Sequence, residues 1–93
     1  MSQISDPVLA YMMAYETFPD LPDSLVTAAF ECTQHILRCH TLNDVGLFGP
    51  IGRSRDRRRA ILVDPARHPE WCIAFHWDMD RGRAHDVGLM PVW

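Results

Sequence analysis

The sequence predicts an α+β fold: an N-terminal helical hairpin packed on a three-stranded antiparallel β-sheet. Three observations predict it. Two helix-start signals, each followed by apolar residues at helical spacing, fill the first half of the chain. The apolar period then switches from helical to alternating after Arg59. The alternating segments are separated by short turn-forming stretches, as in a meander. The 93 residues are read as a single domain, with the hairpin over 1–42, a loop over 43–57 and the sheet over 58–93.

The first helix starts at Ser5-Asp6-Pro7, where Asp6 can cap free amides and Pro7 fits a position that needs no N–H. Val8, Tyr11, Met12 and Tyr15 follow at helical spacing, and Phe18 before Pro19 disfavours continuation past about Thr17. Pro19 to Ser24 makes a rigid turn and a second start. Leu25, Ala28, Ala29, Cys32, Ile36 and Cys39 then form one apolar stripe, widened by Phe30 and Leu37, which predicts a helix from about Pro22 to about His40. Three glycines and a proline mark Asn43 to Gly52 as loop, with Leu47, Phe48 and Ile51 expected to pin it to the core. Ala60 to Val63 reads as a strand ended by Asp64-Pro65. Trp71, Ile73, Phe75 and Trp77 alternate with Cys72, Ala74, His76 and Asp78, a half-buried strand with one aromatic face. Met79 to Gly82 is the next turn, and Arg83 to Met90 the last strand.

Charge is divided between the halves. Asp6, Glu16, Asp20, Asp23, Glu31 and Asp44 oppose only Arg38 in the first, whereas all other arginines lie in the second, and the chain has no lysine. With a net charge of −3, bulk attraction to nucleic acid is not expected. No long apolar run suggests a membrane span. Three cysteines, of which Cys32 and Cys39 stand too far apart on one helix to bridge, are read as free thiols of a cytoplasmic protein.

Several groups could carry chemistry. Cys32, His35 and Cys39 share one helical face beside His40, but a structural zinc site needs four ligands and usually a knuckle turn, so they are read as core residues. Arg53, Arg55, Arg57, Arg58 and Arg59 form a basic cluster suited to phosphate, read first as a solvated loop partly neutralised by Asp56 and Asp64. His76 or His85 beside a carboxylate such as Asp86 would make a general base if the strand register joined them. Ser24 and Ser54 lack a glycine elbow, and no serine or cysteine nucleophile is supported. Asp23 and Glu31 stand about 12 Å apart along a helix, a spacing that suits pairing with a few cationic side chains of a partner.

Each half resembles a known family. Ser5-Asp6, Ala10, Ala14, Pro19-Asp20-Leu21, Ser24-Leu25, Ala28-Ala29, Thr41-Leu42 and Asp44, with aromatic residues at Tyr15 and Phe18, make Ile4 to Asp44 similar to the N-terminal segment of a type I-E anti-CRISPR protein. That resemblance implies a phage or mobile-element protein without enzyme activity or cofactor. It implies binding to a Cas protein of a type I surveillance complex in the host cytoplasm, blocking target DNA. Glu16, Asp20, Asp23, Glu31 and Asp44 are the expected contacts; no direct nucleic acid, membrane, small-molecule or metal contact is expected, and a monomer is. Past Asp44 that relative continues in helices, whereas this chain turns to strands.

The second half resembles HigB-type toxins of the RelE superfamily, through Trp71 to Trp77 as the central strand and Ala84-His85-Asp86-Val87 as the final one. That resemblance implies a ribosome-dependent ribonuclease, with Arg57, Arg58, His76 and His85 as the residues of interest. Such toxins typically end in an Asp-Tyr-His-like tail. This sequence ends in Pro91-Val92-Trp93, which cannot transfer a proton, so the fold is expected to be shared and the cleavage chemistry lost.

Overall fold

Helix α1, Asp23–Arg38, is the long helix of the computed structural model, which describes residues 21–93. Pro22 precedes it in extended geometry, and its carbonyl accepts the amides of Leu25 and Val26 at 3.1 Å each. Cys39 returns to extended backbone and closes it. Leu25, Ala29, Cys32, Ile36 and Cys39 are buried along one face, as the stripe predicts. The first arm of the expected hairpin lies outside the described residues.

The region expected as loop is more structured. Leu42–Gly46 forms a short helix, α2, capped where the Thr41 hydroxyl accepts the Asp44 amide at 3.1 Å. Gly52–Arg53 forms a short strand, β1, pairing with the start of β2, Arg59–Asp64. The sheet therefore has four strands rather than three, in the order β1-β2-β3-β4, with β3 spanning His68–Asp78 and β4 spanning Arg83–Pro91, and every neighbouring pair antiparallel. A two-residue strand has no periodicity to read. Only its partner's amides define it.

Helix α1 packs on one face of this meander. Leu25, Cys32 and Ile36 meet Ile61, Val63, Ile73, Phe75, Val87 and Leu89, with Trp71 and Trp77 half-buried at the margins. Phe75 is fully enclosed. The aromatic face of β3 thus lies under the helix, as expected from its alternation.

Two expectations need correction. Leu47 and Phe48 do not pin the loop: they are 82% and 41% exposed, and Val45 is the buried anchor instead, with Ile51 packing at the margin. Cys72 and Ala74, expected on a polar outer face, are buried too. The Arg58 side chain lies on that outer face, reaching from the start of β2 to the far strand, β4.

Strand β4 carries a bulge. His85 pairs with His76 and Gly88 with Ala74, leaving Asp86 and Val87 opposite the single residue Phe75. Asp86 takes the extra length in left-handed geometry, at φ 53°.

Candidate functional site

Three surfaces carry the residues of interest. The first is the exposed edge of α1. Asp23 stands in its first turn and Glu31 eight residues on, so both emerge on one side. Glu31 lies between two open clefts. One, of about 440 Å³, joins it to Asp23, Ser24 and Thr27 of the helix and to Asp64 and Arg67 of the β2–β3 turn. The other, of about 470 Å³, joins it to Gln34, His35 and Arg38 and to Asp44 of α2. Asp23, Glu31 and Asp44 therefore follow one another along a single edge, with Asp64 beside them. Arg67 is ion-paired to Asp64 at 3.7 Å, which leaves Arg38 as the cation interrupting the row. Glu16 and Asp20 lie outside the described residues.

Side-chain bonds fix this edge. His35 Nε2 donates to the Asp44 carbonyl at 3.1 Å, and the His35 ring packs on Phe48 at 5.1 Å. The Cys39 thiol donates to the His35 carbonyl at 3.2 Å. Burial, then the nearby Asp44 carboxylate, pushes that thiol's pKa up, which keeps it the proton donor. Ser24 Oγ and His68 Nε2 are 2.9 Å apart and tie the start of α1 to the start of β3. No carboxylate bonds to His68 among the described residues, so this pair lacks the third member of a catalytic triad. Cys32 is enclosed in the core, where burial raises its pKa to about 12, beyond useful nucleophilicity. Among the described residues, no group of histidine, cysteine and carboxylate side chains could hold a metal ion.

The second surface is the outer face of the sheet. Arg59 pairs with Phe75, so its neighbour Arg58 falls beside His76, and His76 pairs with His85 on β4. The two imidazoles stack with centroids 5.4 Å apart, and His85 Nδ1 lies 3.1 Å from Asp86 Oδ2. The register thus brings together the histidine pair and the carboxylate that the sequence could not join. Arg58 is occupied at every nitrogen: Nε donates to Asp56 at 2.8 Å, Nη1 to the Asp86 carbonyl, and Nη2 contacts Met90 Sδ at 3.6 Å.

The third surface is the β1–β2 hairpin. The Arg57 amide donates to the Ser54 carbonyl at 3.0 Å and the Ser54 amide to the Arg58 carbonyl at 2.8 Å. Arg57 adopts φ 71°, the left-handed position that closes such a turn and usually belongs to glycine. Asp56 accepts from the Ser54 hydroxyl and from the amide and guanidinium of Arg58. The Ser54 bond above all, then those from Arg58, hold its carboxyl below the ordinary range. Sequence reasoning found the arginines but not this turn. The Ser54-Arg55-Asp56 spacing was the available signal, since hydroxyl and carboxylate side chains bond locally in turns.

Compared with protein-family models, curated proteins and solved structures, the chain matches none. No helix among the described residues is long and apolar enough to cross a membrane.

Proposed function

We propose that this chain is an anti-CRISPR inhibitor that acts by binding rather than by catalysis. Its acidic edge docks on a basic surface of a Cas protein in a type I surveillance complex and blocks engagement of target DNA. The observation that carries the reading is the alignment of Asp23, Glu31 and Asp44 along one side of α1 and α2, with Glu31 shared by two clefts wide enough to admit cationic side chains. Charge pairing of this kind speeds and orients association more than it deepens affinity, so the complex should weaken steeply with salt. Glu16 and Asp20 are further contacts that this reading expects from the sequence. The inhibitor restores plaquing of a targeted phage on a strain with an active type I system. Reversing Asp23, Glu31 and Asp44 together to arginine abolishes that rescue. Full rescue by the folded triple variant would sink the reading.

The stacked His76–His85 pair, with Asp86 and Arg58 beside it, favours a second reading: a RelE-like ribonuclease or a decayed relative. Expression would then arrest growth through mRNA cleavage, and the joint His76→Ala, His85→Ala variant would relieve it. Unimpaired growth with intact translation counts against this alternative.

A further inference from the structure

The β1–β2 hairpin carries Arg53, Arg55, Arg57 and Arg59 with no ion-pair partner among the described residues. Of the two carboxylates in the hairpin, Asp56 is consumed by Ser54 and Arg58, and Asp64, at the far end of β2, is ion-paired to Arg67. The outward charge of this element is therefore close to four positive units. Two features of the backbone work against keeping arginine there. Arg53 and Arg59 are direct cross-strand partners, and like charges placed opposite each other destabilise a strand pair. Arg57 occupies a left-handed position where glycine is unstrained. Arg53 Nη1 donates to the Arg57 carbonyl at 3.1 Å, which holds one guanidinium against the turn, and the like charges gathered at this exposed, rigid element point to an anionic ligand that neutralises them.

We infer that the arginine hairpin is a docking surface for a single strand of nucleic acid, held through its phosphates. Guanidinium forks match phosphate oxygens in pairs, and an anionic strand laid across the hairpin would neutralise both the Arg53–Arg59 repulsion and the two tip arginines, Arg55 and Arg57. The hairpin is one strand pair wide at its base, which suits one backbone rather than the two of a duplex. Arginine alone reads no sugar and no base, so DNA and RNA strands bind alike. This departs from the sequence-based expectation of no direct nucleic-acid contact, because the sequence did not reveal that Asp56 is spent internally. The inference does not rest on the inhibitor reading, whose contacts lie on α1 and α2. It requires no cleavage, and the bound strand should be recovered intact.

The test is fluorescence anisotropy of the full chain with labelled dT and U oligonucleotides across a salt series. Four phosphate contacts give a slope of about −2.8 in log K against log salt for a single strand, or about 50-fold weaker binding from about 50 to about 200 mM salt. The joint Arg55→Gln, Arg57→Asn variant keeps a residue tolerant of positive φ at the tip, and should halve the slope to about −1.4. Circular dichroism and a thermal melt check that this variant folds. Equal affinity for dT and U strands, lost in the variant, supports the proposal. Absence of binding at low salt, an unchanged slope in the folded variant, equal affinity for poly-glutamate, or tighter binding to duplex than to either strand overturns it.

Discussion

Gly82, in the β3–β4 turn, stands against the main-chain carbonyl of His40, just past the end of α1: a Cβ at this position would lie 2.8 Å from that oxygen. Its φ is +63° as well. Any side chain here must therefore adopt left-handed geometry and push the helix terminus away from the sheet. The left-handed penalty alone is about 1–2 kcal/mol. Gly82→Ala should lower stability by about 2 kcal/mol or more, read as a drop in the urea midpoint with an unchanged slope.

Arginines of the same short segment should behave differently on truncation. Arg58 bonds across the outer face of the sheet, and its loss removes the guanidinium donor to the Asp86 carbonyl and to the Asp56 carboxylate, which keeps its bonds from Ser54 and from the backbone amide. Hydrogen bonds to charged groups are worth about 1.5–3 kcal/mol, so Arg58→Ala should cost about 2 kcal/mol. The exposed Arg55 has no such bonds, and Arg55→Ala should stay within about 0.5 kcal/mol of the parent chain. Paired thermal melts separate the two.

Arg57→Gly should gain stability. Left-handed geometry costs a non-glycine residue about 1–2 kcal/mol, and the added freedom of glycine in the unfolded chain returns about 0.5–1 kcal/mol of that. The net gain is about 0.5–1 kcal/mol in denaturant unfolding. A loss of stability would show that the Arg57 side chain contributes to the fold.

Acid should act through two surface carboxyls. The Asp78 pKa lies below its ordinary 3.8, chiefly because its carboxylate accepts the Arg81 amide, and that of Asp56 lies below the same value, chiefly because of the Ser54 hydroxyl. A carboxyl with a lowered pKa in the folded state stabilises the fold above its unfolded value, and the contribution is lost as pH falls through the folded value. Asp78→Asn should therefore be less stable than the parent chain at neutral pH, and the difference should shrink once the pH drops below the ordinary carboxyl value of 3.8. Urea midpoints across an acid series measure it.

Regular elements with a sustained period were legible in the sequence. The stripe from Leu25 to Cys39 located α1 to within a residue or two of its ends, and the alternation from Trp71 to Trp77 gave both the strand and the face that meets the helix. The alignment of Asp23 with Glu31 followed from the helical period alone. What was not legible depended on distant partners. Strand β1 exists only because Ala60 and Arg59 pair with it. Cys72 and Ala74 are buried on a face crossed by the long side chain of Arg58, a contact spanning 28 residues to Asp86. Leu47 and Phe48 looked like core by hydropathy, yet Val45 anchors that turn and leaves both exposed. The histidine pair required the β3–β4 register, which is set by where the turn between Asp78 and Arg83 closes and is not given by the alternation of either strand.

Strand β4 closes the sheet on one side among the described residues, and an open strand edge is a template on which identical chains can stack. Three features interrupt that template. The bulge at Asp86 interrupts the pairing, the Asp86 carbonyl is occupied by the Arg58 guanidinium, and Pro91 offers no amide at the end. Deleting Asp86 would restore a continuous, flat edge beside the apolar Val87, Leu89 and Met90. Such a deletion should raise the tendency of the chain to form fibrils on standing, so the kink just beyond the His76–His85 pair also protects the chain from cross-β polymerisation.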